Sequence, residues 1–292
     1  MNNQKQNNWW QERCEDLGIA QSLDMVLLHA ERSPYQLIEI FEHAAFGRVL
    51  VLDGYLQASQ ADEFIYHEMG LQVPLLGRKR ENTSVLIIGG GDGGSLRESL
   101  VHDFVTAVTM VEIDQRVVEL SKEFLGVNGD YNDPRVNLIF EDAGNFVRDA
   151  KARGQTFDII VLDLTEPVGP SAGLFTEAFF VDLAQLVSET GVVVDSDSIF
   201  LTREGAGFLQ EQSGDGENLV SVMLRTKLLP HIEAYRANVP LYPGADFGFY
   251  LYSRDGVSLR HPVKDYQGRH YDPDVHQASF ALPRWQREWL QV

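Results

Sequence analysis

The chain has 292 residues, and its 24 Lys and Arg stand against 43 Asp and Glu, a formal net charge of −19. A field of that sign repels phosphate backbones and anionic bilayers, so nucleic acids and membrane surfaces are excluded as partners and a small cationic one is favoured. The single cysteine, Cys14, excludes a disulfide framework or a cysteine-built metal site within the chain and suits a reducing cytoplasm. Met1–Asn8 holds no apolar run after Lys5 and does not read as a secretory signal, and every apolar run is too short to cross a bilayer.

Residues 1–80 are expected to form a small β-rich domain. After Ser33-Pro34-Tyr35, Gln36–Glu42 alternates polar and apolar residues at period two. Arg48–Leu52 reads as a strand that stops at Asp53-Gly54, a hairpin signal, with Tyr55–Gln57 returning. Asp62–Leu76 turns helical, with Pro74 set to disturb its last turn.

Residues 81–292 form the second expected domain, where strand and helix alternate. Ser84–Ile88 is a buried strand followed by glycines, Leu96–Phe104 a helix, Ala107–Glu112 a strand and Arg116–Phe124 a helix. Val136–Phe140 and Phe157–Asp163 are strands, Thr176–Ser188 is a helix and Gly191–Asp195 a further strand. That order predicts an α/β fold with a parallel doubly wound sheet. Arg203–Asn218, with its Gly-Asp-Gly, reads as a loop.

Ligands of such sheets bind beyond the carboxyl ends of the strands. There the sequence places Asp92, Glu112, Asp142, Asp163 and Asp195. Any one of them suits a helix cap; five around one rim make a cage of negative charge. The loop Gly89-Gly90-Gly91-Asp92-Gly93-Gly94 follows a strand and opens a helix, as a nucleotide loop does, but lacks the Lys-Ser/Thr of a phosphate-binding loop. Asp92 would repel a pyrophosphate, so an adenosine carrying a positive charge is favoured, as in S-adenosyl sulfonium compounds. Glu112 is placed for the two ribose hydroxyls and Asp142 for the adenine amino group, which reads as an S-adenosylmethionine-methyltransferase-type Rossmann-like domain. A carboxylate at Asp92 attracts an ammonium and repels a carboxylate, which favours decarboxylated S-adenosylmethionine; the alternative is that Asp92 only caps the helix after it. Asp163 and Glu166, on a proline-stiffened loop, suit an amine: one carboxylate takes a proton and the other holds a distant ammonium. Glu63-x-x-x-His67 has ligand-like spacing, but no second His or Cys pairs with it, and no metal is expected.

From Trp9 to Leu290 the chain resembles the polyamine aminopropyltransferases, the spermidine synthase family. The resemblance rests on Ser33–Gln36, Leu52–Gln57, Asp62–Glu68, Gly89–Gly94, Val111–Asp114, Asp133–Val136, Asp163–Pro170 with Leu174-Phe175, Val239–Gly244 and Tyr271–Pro283. It implies transfer of an aminopropyl group from decarboxylated S-adenosylmethionine to an amine, putrescine by default, with release of 5′-methylthioadenosine and no metal. Gln36, Gly89, Gly91, Asp92, Glu112, Asp142, Ala143 and Pro170 would then bind the co-substrate. Asp163 would accept the proton, helped by Tyr66. Gln57, Tyr66, His67, Asp92, Asp163, Leu164, Thr165, Glu166, Asp195 and Tyr242 would border the amine. A cytoplasmic homodimer or tetramer is implied, with the amino-terminal β domain in the contact.

Three departures from the family pattern stand out. Ala143 replaces a usual Gly. Glu166-Pro167 replaces Asp-Pro and would favour a shorter diamine, whereas Asp195 replaces a neutral residue and would favour a triamine such as spermidine. Two other classes stay open: a methyltransferase using intact S-adenosylmethionine, and a non-catalytic polyamine- or nucleoside-binding protein.

Overall fold

The structure, a computed structural model, describes residues 9–14, 19–165, 169–198, 219–242, 244 and 246–290. Its first layer is a five-stranded antiparallel sheet in sequence order: β1 (Trp9–Cys14), β2 (Ile19–Arg32), β3 (Leu37–His43), β4 (Gly47–Leu52) and β5 (Tyr55–Ser59). The expected hairpin at Asp53-Gly54 is present, with Leu52 opposite Tyr55 and both turn residues at positive φ, 46° and 89°. Strands β1 and β2 lie in the stretch for which sequence alternation named no individual strand.

Helix α1 (Glu63–Leu76) follows and keeps Pro74 inside it. The Pro74 carbonyl accepts from Arg80 Nε at 3.0 Å. Although α1 precedes residue 80, its buried Met69, Leu71, Val73 and Leu75 pack in one cluster with Val85 and Ile87 of the second sheet.

That second sheet has seven strands: β6 (Thr83–Gly89), β7 (Val105–Glu112), β8 (Val136–Phe140), β9 (Phe157–Asp163), β10 (Val187–Ser198), β11 (His231–Asn238) and β12 (Asp246–Ser253). Their spatial order is β11-β12-β10-β9-β6-β7-β8. The strands from β6 to β10 pair in parallel, and β12 runs antiparallel to both its neighbours. The sheet is therefore doubly wound as expected, with a reversed strand inserted near one edge. Val85, Leu86, Ile87 and Ile88 are all fully buried, the mark of a strand covered on both faces.

The helices differ in detail from the periodicity. Helix α2 is Gly94–Ser99 rather than Leu96–Phe104, because Val105 is claimed by the sheet opposite Thr83 and the chain must turn before it. Helix α3 (Gln115–Leu120) runs into a π-helical turn, Ser121–Leu125, closed by Gly126 at φ 65°. Helix α4 (Ala143–Ala152) was not anticipated; Gly144, Asn145, Arg148, Asp149 and Lys151 dilute its apolar stripe of Phe146, Val147 and Ala150. Helix α5 (Glu177–Gln185) is capped by Thr176 and ends early because Val187 pairs with Phe157. The expected loop Arg203–Asn218 lies outside the described residues. No helix among the described residues is long and apolar enough to cross a membrane.

Candidate active site

The central strands end side by side, and that edge carries the site. Gly89 is in register with Asp163, and Gly90 N–H donates to the Asp163 carbonyl at 2.8 Å. A Cβ on Gly89 would stand 2.1 Å from that carbonyl oxygen, and its φ is 84°, so only glycine fits this first turn. The loop then swings Asp92 back over the start of α2, where its Oδ1 accepts from Gly94 N–H at 2.7 Å. The same carboxylate lies 3.3 Å from His67 Nε2. The N-cap position of α2 is Gly93, so Asp92 is not its cap; its carboxylate holds the first helical N–H and contacts His67 as well.

His67 comes from α1, where its Nδ1 meets Glu63 Oε2 one turn earlier at 2.6 Å. Arg97 of α2 forks onto Glu63, with both guanidinium contacts at 3.0 Å. Burial disfavours charge on His67, but Asp92 and Glu63 outweigh it and hold the imidazole well above its ordinary pKa. Burial likewise opposes ionisation of Glu63 and Asp92, yet both stay below the usual carboxylate range because of His67, helped by Arg97 and, for Asp92, by Gly94 N–H.

Asp163 closes β9. Ser95 Oγ donates to its Oδ2 at 2.6 Å. Burial pushes its pKa up, and the charge of Asp92 pushes the same way; His67, Ser95 and Tyr66 pull against them. The Tyr66 hydroxyl lies 2.9 Å from Ser196 Oγ and also reaches Asp163. Its ring packs edge-on against Phe247 and Tyr242, and the Tyr242 hydroxyl donates to the Gln57 carbonyl at 2.6 Å. Gln57, Tyr66 and Tyr242 thereby form one wall beside Asp163, although they come from β5, α1 and the loop after β11.

Glu112 closes β7 and accepts from Asp114 N–H at 2.8 Å. Burial lifts its pKa to about 7. Gly91 lies over it: a Cβ there would stand 3.1 Å from Glu112 Oε2. Gln36 Nε2 donates to Asp114 Oδ2 at 3.0 Å, and Ser33 Oγ to the same oxygen at 2.6 Å, which ties the first sheet to the second at Glu112. Asp142 caps α4 through Asn145 N–H at 2.9 Å, with buried Ala143 beside it. Pro170 sits on a 3-10 turn, Gly169–Leu174, that packs on α4. Thr165 Oγ1 donates to Ser171 Oγ of that turn at 3.0 Å, which holds Leu164-Thr165 over the strand ends. Glu166 lies outside the described residues.

Asp195 is not brought together with this group. On β10 its side chain follows Val193 onto the face packed by α4 and α5, where it hydrogen bonds with the Tyr252 hydroxyl and burial lifts its pKa to about 7. Ser196, one residue on, turns to Tyr66. The physical reason is strand alternation, which sends neighbours to opposite faces. Sequence reasoning gave no site role to Glu63, Ser95, Arg97 or Ser196. Only Glu63 left a signal, its i,i+4 spacing to His67, which serves an ion pair here.

These features define a class: a Rossmann-like α/β enzyme fold whose strand ends carry a carboxylate-rich, partly charge-paired site. A family model described as the spermine/spermidine synthase domain matches residues 63–259, and one described as the spermidine synthase tetramerisation domain matches residues 8–60. The polyamine aminopropyltransferase of Pectobacterium atrosepticum is 40% identical over 97% of both chains. That of Salmonella arizonae is 38% identical over 98% of this chain and 99% of its own. Among solved structures, a spermidine synthase in complex with the transition state analogue AdoDATO superposes with a TM-score of 0.82 at 29% identity, covering 98% of this chain and 96% of that one. The spermidine synthase from Thermotoga maritima gives 0.81 at 29% identity, covering 98% and 95%. The chain belongs to the spermine/spermidine synthase family, and its activity is of the aminopropyltransferase class.

Proposed function

We propose that this enzyme transfers the aminopropyl group of decarboxylated S-adenosylmethionine to putrescine, yielding spermidine and 5′-methylthioadenosine. One observation carries the reading: Asp163 is a buried carboxylate whose pKa is raised, held at a strand end between the Tyr66 hydroxyl and the Asp92–His67 pair. A group so placed is suited to take a proton from an ammonium.

An aliphatic amine is protonated at neutral pH, much as a lysine is, and has no lone pair for attack. Asp163 accepts one proton, and Tyr66 orients the amine nitrogen. That nitrogen attacks the methylene carbon bound to the sulfonium as the carbon–sulfur bond breaks. The bonding pair goes to sulfur, which leaves as a neutral thioether and needs no acid. The new secondary amine keeps a proton, and Asp163 later returns its own to solvent. Positioning of nucleophile and electrophile supplies the rest.

Co-substrate roles follow the same edge. Glu112, with Gln36 behind it, accepts the ribose hydroxyls; Gly89 and Gly91 let the adenosine approach the backbone. Asp142, Ala143 and Pro170 border the adenine, and Asp92, with His67 behind it, meets the aminopropyl tail. The amine runs along Gln57, Tyr66, Tyr242, Leu164 and Thr165. Asp195, on the other face of β10, favours a diamine over a triamine. The packing of α1 favours a domain boundary near residue 62, and the first sheet is the oligomer contact of a cytoplasmic homo-oligomer.

The test is methylthioadenosine release with 1,3-diaminopropane, putrescine, cadaverine, agmatine and spermidine, with Asp163→Asn in parallel. Putrescine-dependent release that collapses in the variant supports the proposal. Preference for spermidine overturns the diamine assignment, and turnover of intact S-adenosylmethionine or no release with any amine overturns the reaction.

A further inference from the structure

Beneath the glycine loop runs a line of charged side chains of which the transfer step uses only one end. Glu63 and His67 come from α1, Asp92 from the loop after β6 and Arg97 from α2. Asp163 faces the line from β9, and the Tyr66 ring stands at right angles to the imidazole with centroids 5.1 Å apart. Glu63 and His67 are each 2% exposed. The imidazole has one carboxylate 2.6 Å from Nδ1 and another 3.3 Å from Nε2.

A neutral imidazole has one N–H and one lone pair. In this seat the lone pair would face a carboxylate oxygen on one side or the other, in a site where Glu63 and His67 are almost fully buried. A ring protonated at both nitrogens meets both anions favourably. The seat does not let either side relax. Arg97 holds Glu63 through both oxygens and is itself tied to Glu98 and the Val127 carbonyl. On the other flank a Cβ at Gly94 would stand 2.3 Å from the ring, so the imidazole is packed onto bare helix backbone.

Asp163 lies within electrostatic reach of Asp92. Two carboxylates sharing a buried site hinder each other's ionisation, and a cation fixed against one of them relieves the other. We propose that Glu63 is a positioning residue that keeps His67 as a buried imidazolium, and that this cation offsets Asp92 so that Asp163 is ionised when the amine arrives. The inference rests on the reading of Asp163 as the proton acceptor. The burial and ion-pairing that hold His67 above its ordinary pKa, and the opposite pulls of Asp92 and His67 on Asp163, agree with it.

Two measurements test it. The first is an NMR titration of ¹³C,¹⁵N-histidine in the unliganded protein from about pH 6 to 10, with His67 assigned by His67→Gln. The ring is expected to stay an imidazolium across the range in the wild type and to deprotonate within it in Glu63→Gln. The second is the pH profile of kcat/KM. Its rising limb is expected to move upward by about one unit in Glu63→Gln, a roughly tenfold loss below the limb that is recovered at high pH. His67→Gln should move the limb the same way with the Glu63–Arg97 fork intact, and the double variant should move it no further. A neutral His67 in the wild type, a ring still charged in Glu63→Gln, or a rate loss equal at every pH would overturn the proposal. If Glu63→Gln does not fold, the wild-type titration and the His67→Gln profile decide. The NMR arm needs neither amine nor co-substrate, so failure of aminopropyl transfer would leave it readable.

Discussion

At the scale of single residues, the site's carboxylates are set apart by their surroundings. Asp92 is held below the usual carboxylate range by His67, Gly94 N–H and Arg97, whereas burial raises Asp163 and Glu112. Replacing Asp163 by Asn keeps the shape and removes the proposed proton acceptor, so kcat is expected to fall roughly 10²- to 10⁴-fold in a steady-state assay. Glu112 carries a second expectation. Its folded pKa, about 7, is above the ordinary 4.5, so the folded state holds the proton more tightly. Its contribution to stability is present below pH 4.5 and is lost as pH rises through about 7. Glu112→Gln should therefore raise Tm at pH 8, the gain in stability having a ceiling of about 3 kcal/mol, and leave it unchanged near pH 4. The same variant should raise KM for the co-substrate, since an amide donates as well as accepts and pairs poorly with two ribose hydroxyls. Equal melting curves at pH 8 would refute the stability half. Sequence already pointed to Glu112 and Asp163 because both end strands; it did not show that their environments differ, since burial depends on Gln36 and Tyr66 arriving from other parts of the chain.

At the scale of elements, α1 and α2 form the seat on which the site depends. Helix α2 begins on two glycines, and the second, Gly94, faces the His67 ring. Ala is the better helix former by about 1 kcal/mol, so Gly94→Ala would be stabilising on an open helix surface. Here its methyl meets the imidazole at 2.3 Å, and the variant is expected to lower both Tm and kcat. A raised Tm would show that α1 gives way without cost. The strand runs of the second sheet were legible because they are continuous and apolar. The boundaries of α2 and α5 were not: Val105 and Val187 suit helix and strand equally by local pattern, and their pairing with Thr83 and Phe157 decides. Helix α4 escaped because its apolar stripe is short, and the reversed strand β12 because periodicity carries no direction.

At the scale of the whole molecule, the net charge of −19 surrounds a site whose proposed substrates are cations. Attraction over such distances is screened by salt, with a Debye length of about 10 Å at 0.1 M and 3 Å at 1 M. Second-order rates, kcat/KM for the amine above all, are expected to fall as NaCl rises from about 0.02 to 0.5 M, while kcat changes little. A flat dependence would confine the role of the charge to solubility. The two sheets meet through Asp114, which accepts from both Ser33 and Gln36. The first sheet thus reaches the proposed co-substrate region as well as carrying the tetramerisation match.

What the sequence determined by itself was local or cumulative: the charge, the buried strands, the glycine loop and the acidic residues at strand ends, because each needs only neighbouring residues to be recognised. It also carried the family, through motifs spread in order along nearly the whole chain. Only the tertiary structure decided which acids share a site. Strand alternation turned Asp195 away from Tyr66 while Ser196 turned toward it, and packing of α1 against α2 paired His67 with Asp92. Both outcomes depend on faces and contacts between segments tens of residues apart, which the linear order of residues does not specify.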